Sequence, residues 1–226
     1  MKPDYVDNLE EMEKFFDEKA KDWDEYAKHD PYNHYFKAIS SHVSETKEKI
    51  RILELGCGTG LTLHSILDKA PNAIITCIDL SENMLEVLSK KFTEYSSQIQ
   101  IRHGSFFEFP FGKEQFNYII SSQTFHHFTP NTKKALYEKI YLSLERGGKY
   151  IEGDFLVSIE EEKESLNEYY KYVAPLEEKE EGKYHFNIPL TLETQKQLLS
   201  DSGFKWENDI YYEDETELAV YTGLKE

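Results

Sequence analysis

Short apolar runs alternate along this chain with segments whose apolar residues recur every three or four positions. The first run covers residues 50–55 and ends at Gly56, and the second covers 73–79 and ends at an acid. Apolar runs of this length are typical of strands buried on both faces, and the spacing between them is helical. The alternation predicts an open α/β sheet with connecting helices.

The same pattern continues to the C-terminus. Strands are predicted at 99–102, 114–121 and 150–155, and a terminal hairpin at 205–212 and 218–223. Helices are predicted to begin near Thr129, Ser158 and Thr191. Near the N-terminus, Asn8 and Glu11 are predicted to form a capping pair, and Asp30-Pro31 is predicted to open a second helix. A charged, aromatic-rich helical segment therefore precedes the first strand.

Three alternating glycines, Gly56, Gly58 and Gly60, follow the first predicted strand and precede a helix. Such a turn directs unpaired backbone N–H groups and a helix N-terminus at one point beyond the strand. Because glycine has no Cβ, a ligand can lie directly on the backbone there. In an open α/β sheet, this crevice is where nucleotide-like ligands bind.

The spacing of the glycines distinguishes this turn from two common phosphate sites. A dinucleotide fingerprint reads G-x-G-x-x-G and a P-loop ends in Gly-Lys-Ser/Thr, whereas residues 56–60 read G-x-G-x-G. Glu54 stands just before the loop, where it would repel a phosphate. A carboxylate at this position suits a ligand that carries ammonium or sulfonium charge.

The segment Glu-Leu-Gly-Cys-Gly-Thr-Gly at 54–60 resembles the first motif of class I S-adenosylmethionine-dependent methyltransferases. An ordinary glycine-rich strand–helix turn is the alternative interpretation. The resemblance covers about residues 50–224, and the N-terminus matches only in general character. It implies a doubly wound, mostly parallel, Rossmann-like sheet of seven strands, with an antiparallel C-terminal strand and an N-terminal helical cap. It also implies a single domain with a cap at 1–48, a cofactor-binding core at 49–157, a substrate-side insertion at 158–190, and a C-terminal helix and hairpin at 191–226.

Asp79 ends the second predicted strand, about 20 residues beyond the glycine loop. A carboxylate there can accept hydrogen bonds from both hydroxyls of a ribose. NAD and S-adenosylmethionine share this ribose, so Asp79 indicates an adenosine-type ligand without identifying it. Ser81 is predicted to cap the following helix.

The resemblance implies the remaining cofactor contacts. Met84 matches an apolar contact to adenine, and Ser105 stands where the family commonly has an acid that binds the adenine amino group. Phe106 is expected to stack on the adenine. The predicted S-adenosylmethionine-binding residues are Glu54, Gly56, Cys57, Gly58, Gly60, Asp79, Leu80, Met84, Gly104, Ser105, Phe106, Ser121, Ser122, Gln123 and Tyr26.

His126 and His127 follow the fourth predicted strand, in a variant of the family's fourth motif. Imidazole titrates near neutrality and suits removal of a hydroxyl or ammonium proton during attack on a methyl group. Asp154, near the end of the fifth strand, either supports one of these histidines or caps the next helix. The alternative for the histidines is structural, one packed on the sheet and the other a helix cap. All three residues are predicted to be catalytic.

Aromatic side chains are expected to shape the acceptor pocket. In the resembling fold, insertions between the fifth strand and the last helix usually form it, although aromatic residues at helical spacing are more often core. The candidates for substrate binding are Tyr32, Tyr169, Tyr172, Tyr184, His185 and Phe186.

Composition narrows the partners. A formal net charge of -17 over 226 residues argues against nucleic acid, which needs a basic surface. Cys57 and Cys77 form neither a disulfide framework nor a zinc spacing, so a reducing, cytoplasmic location without a metal is expected. No segment suits a membrane span. We expect a small-molecule partner and a monomer or homodimer.

These residues predict a methyltransferase acting on an oxygen or nitrogen of a small molecule. One alternative is an enzyme that carboxylates S-adenosylmethionine itself, which needs a cation to hold the added carboxylate. Arg51, Arg102 and Arg146 all lie outside the predicted pocket segments. The other alternative is a cofactor-binding protein without catalysis.

Overall fold

A mixed sheet organises the computed structural model, which describes residues 3–28, 30–177, 181–207 and 210–226. Its strands are β1 (Arg51–Leu55), β2 (Ile74–Asp79), β3 (Ile99–His103), β4 (Phe116–Ser122), β5 (Leu144–Phe155), β6 (Lys205–Trp206), β7 (Tyr211–Glu213) and β8 (Leu218–Leu224). The helices are α1 (Met12–Lys19), α2 (Asp30–Ser41), α3 (Leu63–Lys69), α4 (Glu82–Lys91), α5 (Pro130–Ser143), α6 (Ile159–Glu168) and α7 (Leu192–Asp201).

The strand order is β3-β2-β1-β4-β5-β8-β6, and β7 pairs with β8 outside this path. Strand β1 is parallel to both β2 and β4, whereas β8 is antiparallel to β5. The predicted fold class is confirmed, with seven strands in the main path and a short eighth strand, β7, beside them. Because the order reverses between β1 and β4, a ligand crevice opens at their carboxyl ends.

Both faces of the sheet are buried, which explains the continuous apolar runs in the sequence. Along β1, Ile52 packs in one core cluster and Leu53 in another. The first cluster includes residues of α2, α3 and α4, and the second includes residues of α5 and α7. The fully buried side chains each contribute about 1.5–3 kcal/mol, so the core fixes the strand ends that form the site.

Three predicted helix starts have the expected cap. The Ser81 hydroxyl accepts a bond from the Met84 N–H at 3.1 Å, and Ser158 forms a capping box with Glu161. Thr191 accepts from the Thr194 N–H at 3.2 Å. Each cap satisfies a backbone donor that a helix N-terminus leaves unpaired, so these boundaries are set locally.

The Asn8–Glu11 capping pair is wrong, because Glu11 itself is the N-cap of α1 and makes no side-chain cap bond. Asn8 ends a 3-10 turn, Asp4–Asn8. The start of α1 is held instead by long-range pairing, since the Met12 N–H donates to the Lys183 carbonyl at 2.8 Å.

Two predicted boundaries also shift. Strand β5 begins at Leu144 rather than at 150, because Leu144 pairs with Phe116 and the Gly147 N–H donates to the Lys225 carbonyl. Helix α6 ends at Glu168 and continues as a π-helical turn, Tyr169–Val173. Within the ranges described above, no helix combines the length and apolar character needed to cross a membrane.

Candidate active site

The glycine loop after β1 has the backbone shape that its sequence predicts. Gly56, Gly58 and Gly60 have φ values of 65°, 49° and 76°. A Cβ on Gly56 would overlap the Thr124 side chain. The N–H groups of Gly56 and Cys57 both donate to the Ile78 carbonyl, at 2.9 and 3.1 Å. The loop is therefore fastened to β2 and needs glycine where β4 approaches it.

The other two glycines have different surroundings. A Cβ on Gly58 would lie 4.0 Å from Nε1 of Trp23, at the cavity wall. A Cβ on Gly60 would lie 2.8 Å from Leu63, inside the packing of α3 and α4. Gly58 thus leaves room above the loop, whereas Gly60 lets the loop pack on the helices.

Asp79 connects the loop to the end of β2. Its Oδ2 accepts the Gly58 N–H at 2.7 Å, and its Oδ1 accepts the Ser81 N–H at 2.9 Å. The carboxylate lines the cavity. A carboxylate oxygen can accept more than one bond, so Asp79 keeps acceptor capacity for ribose hydroxyls.

Glu54 is the buried charge of this end of the cavity. Its Oε1 accepts a bond from the Thr62 hydroxyl, and its Oε2 has no partner among the residues that the structure describes. Burial raises the pKa of Glu54 to about 7, the Thr62 bond lowers it in part, and the charge of Asp79 raises it. A buried oxygen of this kind calls for a donor or cation from a ligand.

The predicted adenine contacts Met84, Ser105 and Phe106 line the cavity, as do Leu80 and Gly104, which were predicted to bind the cofactor. The Ser105 hydroxyl accepts a bond from the Phe107 N–H at 3.2 Å. Sequence reasoning missed Lys139, whose ammonium donates to the carbonyls of Phe106 and Phe107, each at 2.9 Å. Helix α5 thereby holds the loop that follows β3.

Of the three cofactor contacts predicted at the end of β4, two line the cavity and one does not. Ser122 and Gln123 line the cavity, whereas Ser121 is fully buried behind it and shares a 2.7 Å hydrogen bond with the Tyr150 hydroxyl. Gln123 has a φ of 49° and donates its N–H to the Gly153 carbonyl at 2.8 Å. A left-handed conformation outside glycine marks a constrained turn. The hydrogen bond from Gln123 to Gly153 joins this turn to β5.

His126 and Asp154 form a buried pair just behind the cavity. Nδ1 of His126 lies 2.6 Å from Oδ1 of Asp154, and Asp154 Oδ2 accepts the backbone N–H groups of Phe125 and His126, both at 2.9 Å. Burial alone would raise the pKa of Asp154, but His126 and Lys133 hold it below its usual value. The carboxylate therefore fixes the turn at 125–127 on β5.

His127 is the histidine that lines the cavity. Its Nδ1 lies 3.1 Å from the Phe186 carbonyl, and its buried Nε2 has no partner in the described ranges. Since a carbonyl can only accept, Nδ1 carries the proton and Nε2 presents a lone pair. Burial, with the neighbouring His126 and His185, lowers the pKa of His127 well below 6.5. The side chain is a neutral acceptor at neutral pH.

Two remote segments, which we call the cover, close this end of the cavity: residues 10–16 and 181–186. Glu11 forms an antiparallel bridge with Tyr184, and the His185 N–H donates to the Glu10 carbonyl at 2.9 Å. The Glu181 carboxylate accepts hydroxyl bonds from Thr129 and Thr132 at the start of α5. The cover is thus attached both to itself and to the main domain.

The cavity enclosed by these elements has a volume of about 890 Å³ and runs from the glycine loop to the cover. This volume lies in the upper part of the range of roughly 300–1,000 Å³ for small-molecule sites. Sequence reasoning missed several wall residues, because they come from elements far apart in the chain, namely the cover, α2, the turn before α5 and α5 itself: Met12, Phe16, Phe36, Phe128, Thr132, Leu136 and Glu181.

None of the six aromatic or histidine candidates for substrate binding is on the described wall of the cavity: Tyr32, Tyr169, Tyr172, Tyr184, His185 and Phe186. Tyr184, His185 and Phe186 belong to the cover but are absent from this wall. The His185 ring stacks on Phe15 at 3.5 Å, and Tyr169 packs with Val173 and Ile188. Tyr26 belongs to a 3-10 turn, Trp23–Lys28, and its side chain lies outside what the structure describes.

A buried polar cluster beneath His126 was also missed. Lys133 is fully buried, and its Nζ has no hydrogen-bond partner in the part of the chain that the structure covers. Burial lowers the pKa of Lys133, and Glu152 and Asp154 raise it in part. Glu152 accepts the Tyr137 hydroxyl at 2.7 Å. Lys133 lies at helical spacing from Leu136, Tyr137 and Ile140, and this spacing could have indicated that it belongs to the buried face of α5.

A metal site has no support in the described ranges, which contain no group of three or more His, Cys, Asp or Glu side chains able to hold an ion. Cys57 and Cys77 are both buried and free.

Comparison with known proteins gives the class of this fold and site. Residues 52–148 match a family described as a methyltransferase domain. The chain is 32% identical over 150 residues to a malonyl-[acyl-carrier protein] O-methyltransferase of Priestia megaterium, covering 66% of this chain and 52% of that protein. It is 25% identical over 167 residues to a carboxy-S-adenosyl-L-methionine synthase of Nautilia profundicola, covering 69% of each. The chain spans about half the length of the first relative.

A solved structure has the same fold. Human N-acetylserotonin methyltransferase, in complex with S-adenosylmethionine, matches with a TM-score of 0.61 and 18% identity over 95% of this chain and 55% of that one. The methyltransferase-domain match, the named relatives and the shared fold together support a class I S-adenosylmethionine-dependent methyltransferase, whose cofactor is S-adenosylmethionine.

The residues present fit this cofactor. The glycine loop leaves space at Gly58 that a side chain would narrow. Glu54 lines the same cavity, and its buried Oε2 lacks a partner among the described residues, which suits a cationic ligand. The site thus combines a bare backbone surface with an unsatisfied carboxylate.

Proposed function

We propose that this protein transfers the methyl group of S-adenosylmethionine to an oxygen or nitrogen of a small molecule, with His127 as the proton acceptor. The observation that carries the proposal is the lone pair on the buried Nε2 of His127. His127 lines the same cavity as the glycine loop. A base and a cofactor loop on one cavity are what methyl transfer to a protonated acceptor needs.

The cofactor end of the cavity binds and orients. The N–H groups of Gly56 and Gly58 are bonded to Ile78 and Asp79, so the backbone of these glycines would form a surface under the methionine part. Asp79 would bind the ribose hydroxyls, and Glu54 would lie near the positive charge. When bound, S-adenosylmethionine supplies a methyl group activated by positively charged sulfur. Because activation is intrinsic to the cofactor, the protein contributes mainly alignment, which can supply about 7–11 kcal/mol of the barrier.

The acceptor end of the cavity would bind the methyl acceptor and remove its proton. Nε2 of His127 takes the proton that the acceptor loses, while the bond from Nδ1 to the Phe186 carbonyl keeps the ring oriented. Asp154 acts as a positioning residue, since it binds His126 and two backbone N–H groups of the turn that carries His127. The predicted catalytic trio thus has one residue at the cavity and two behind it.

Substitution of the base tests this assignment. We expect His127→Ala to lower turnover by about 100-fold or more, because general-base catalysis contributes about 10²–10⁴-fold. S-adenosylmethionine affinity, measured by calorimetry, should change less than about twofold. Turnover is measured as S-adenosylhomocysteine and methylated product by mass spectrometry, over a panel of hydroxyl and amine metabolites.

His64→Ala is the matched control, because His64 is an exposed histidine of α3 outside the cavity. It should behave like the unsubstituted protein. Full turnover in His127→Ala would contradict the base assignment, and failure to bind S-adenosylmethionine would contradict the function.

Carboxylation of S-adenosylmethionine is the second candidate, since one relative is a carboxy-S-adenosyl-L-methionine synthase. The structure gives it little support, because no arginine is among the described lining residues. The Lys139 ammonium is bound by two carbonyls, and Arg51 pairs with Glu145. Mass spectrometry of the cofactor after turnover distinguishes a carboxylated product from a demethylated one.

A further inference from the structure

We propose that the acceptor is an uncharged hydroxyl compound with a flat apolar body, and that the site rejects anionic acceptors. The inference rests on the proposed function and names the substrate class of that same site. It differs from the acceptor in the name of the Priestia megaterium relative, a malonyl group on a carrier protein.

The wall around His127 is aromatic. Phe16 meets the His127 ring edge-on, with centroids 6.0 Å apart at 71°, and Trp23 meets Phe16 at 5.5 Å and 75°. Phe36 and Met12 are further apolar residues on the wall of the cavity. Aromatic rings in such arrangements bind flat apolar groups well, since stacked and edge-on contacts are each worth about 0.5–1.5 kcal/mol beyond burial.

The His127 imidazole demands a hydrogen-bond donor. Nδ1 donates to the Phe186 carbonyl, so Nε2 can only accept as long as the ring is neutral. A hydroxyl group satisfies this lone pair and keeps its own lone pairs for the methyl carbon. A carboxylate has no proton to donate, and its oxygens would face the Nε2 lone pair. The geometry therefore favours a neutral O–H over an anion.

The charges along the cavity oppose an anion as well. Carboxylates outnumber ammonium groups on the described wall: Glu11, Glu13, Glu54, Asp79, Glu108 and Glu181 against Lys139 and Lys183. Lys139 is engaged by two carbonyls, and Lys183 lies 4.0 Å from Glu11. An anion buried here would therefore lose its hydration without a free counter-charge from the described wall residues, which is unfavourable.

An ammonium acceptor is also disfavoured, although the acidic wall would attract it. At the reacting position it would face the positive sulfur of the cofactor, and like charges at close range repel. Its nitrogen has no lone pair until it loses a proton. An uncharged hydroxyl meets neither obstacle.

The reaction balances for a hydroxyl acceptor. The hydroxyl oxygen forms a bond to the methyl carbon as the carbon–sulfur bond breaks, and that electron pair stays on sulfur. The hydroxyl proton passes to Nε2 of His127 and then to water. No oxidant or further co-reactant is needed.

Three probes with the same naphthalene body and different polar groups test the inference: 2-naphthol, 2-naphthoate and 2-naphthylmethylammonium. Calorimetry measures their affinity for the protein at neutral pH, with and without S-adenosylhomocysteine. We expect the naphthol to bind at least tenfold more tightly than either ion. His127→Ala should weaken naphthol binding by about tenfold, the loss of one hydrogen bond to a buried acceptor. It should leave naphthoate binding unchanged.

His64→Ala again serves as the control and should keep the order of the three probes. Equal or tighter binding of naphthoate, no measurable binding of naphthol, or an unchanged naphthol affinity in His127→Ala would each overturn the inference. Failure of S-adenosylhomocysteine binding alone would count against the proposed function instead, because the probe order is also measured without it.

Discussion

The two ends of the cavity are built in different ways. The cofactor end comes from the carboxyl ends of β1, β2 and β3, within residues 54–106, and it uses backbone groups and two carboxylates. The acceptor end joins residues 11–16, 122–128 and 181–183, and it uses aromatic side chains and an imidazole; Trp23 lies between the two ends, since it approaches Gly58 and packs on Phe16. A local motif can define the first end, whereas only tertiary contacts bring the second together.

The two ends of the cavity also differ in the charge of their polar side chains. Glu54 and Asp79 place negative charge where a cation is expected, while His127 offers an uncharged lone pair. The ends should therefore respond separately to substitution, because variants of distant, independent sites have additive effects. Each of the following predictions tests that separation.

The largest effect is expected at the ribose carboxylate. Asp79→Ala should weaken S-adenosylmethionine binding by about 100-fold, since it removes charge-assisted hydrogen bonds worth roughly 1.5–3 kcal/mol each. Calorimetry with Asp79→Ala and His127→Ala compares the two ends directly. Equal loss of cofactor affinity in both variants would show that the ends are not separate.

Alanine at two glycines should give the next effect. Gly56 and Gly147 both have positive φ, 65° and 80°, but a Cβ on Gly147 meets nothing within 4 Å. The left-handed backbone costs each variant about 1–2 kcal/mol of unfolding free energy. Gly56→Ala should lose about 2 kcal/mol more, because overpacking against Thr124 typically costs about 1–3 kcal/mol.

Urea unfolding measures the stability of both variants, and calorimetry measures their affinity for S-adenosylmethionine. Gly147→Ala should keep that affinity, whereas Gly56→Ala should lose most of it. Similar stabilities and affinities in the two variants would contradict the close approach of β4 to the loop.

The third prediction concerns pH. The folded protein holds the Glu54 proton up to about pH 7, whereas the usual value is 4.5. The folded state therefore binds more protons between these values, and this carboxyl lowers stability as pH rises through that window. A cationic cofactor favours the ionised carboxyl, so S-adenosylmethionine affinity should rise about tenfold from pH 6 to pH 8.

Glu54→Gln is the control for this dependence, because the amide is of similar size and does not titrate. Calorimetry at several pH values should show a flat affinity profile for it. A pH dependence that persists in Glu54→Gln would place the titrating group elsewhere.

The smallest effect is expected at Ser105. Its hydroxyl already accepts a bond from the Phe107 N–H, and an added bond to adenine would be a neutral one. Ser105→Ala should therefore weaken S-adenosylmethionine binding by no more than about fivefold, or about 1 kcal/mol. A loss of 100-fold would give Ser105 the weight of the acid found there in other family members.

Much of the cofactor end could be predicted from the sequence, because strand, glycine turn and acid are signals within a few residues of one another. The alternation of apolar runs and helical spacing predicted an open α/β sheet, and the family resemblance supplied the seven-stranded, Rossmann-like fold class. Strand β2 ends at Asp79 as expected. The motif did not separate Gly60, which packs on helices, from Gly58, which borders the cavity.

The acceptor end resisted prediction because its residues are distant in sequence. The pairing of residues 10–12 with 183–185 places Phe16 on the wall and His185 behind it, an outcome that local spacing does not encode. The sequence indicated two adjacent histidines but not which of them lines the cavity. His126 is bound by Asp154 of β5 instead, a contact that the local sequence does not show. The burial of Lys133 was not predicted, because a charged side chain usually lies in solvent.

A crystal structure with bound S-adenosylhomocysteine tests the two-ended cavity most directly. The account predicts the amino-acid part on the Gly56–Gly58 backbone, the ribose on Asp79, and the sulfur directed toward the chamber that contains Nε2 of His127. A ligand bound with its adenine against His127, or with its ribose away from Asp79, would contradict it.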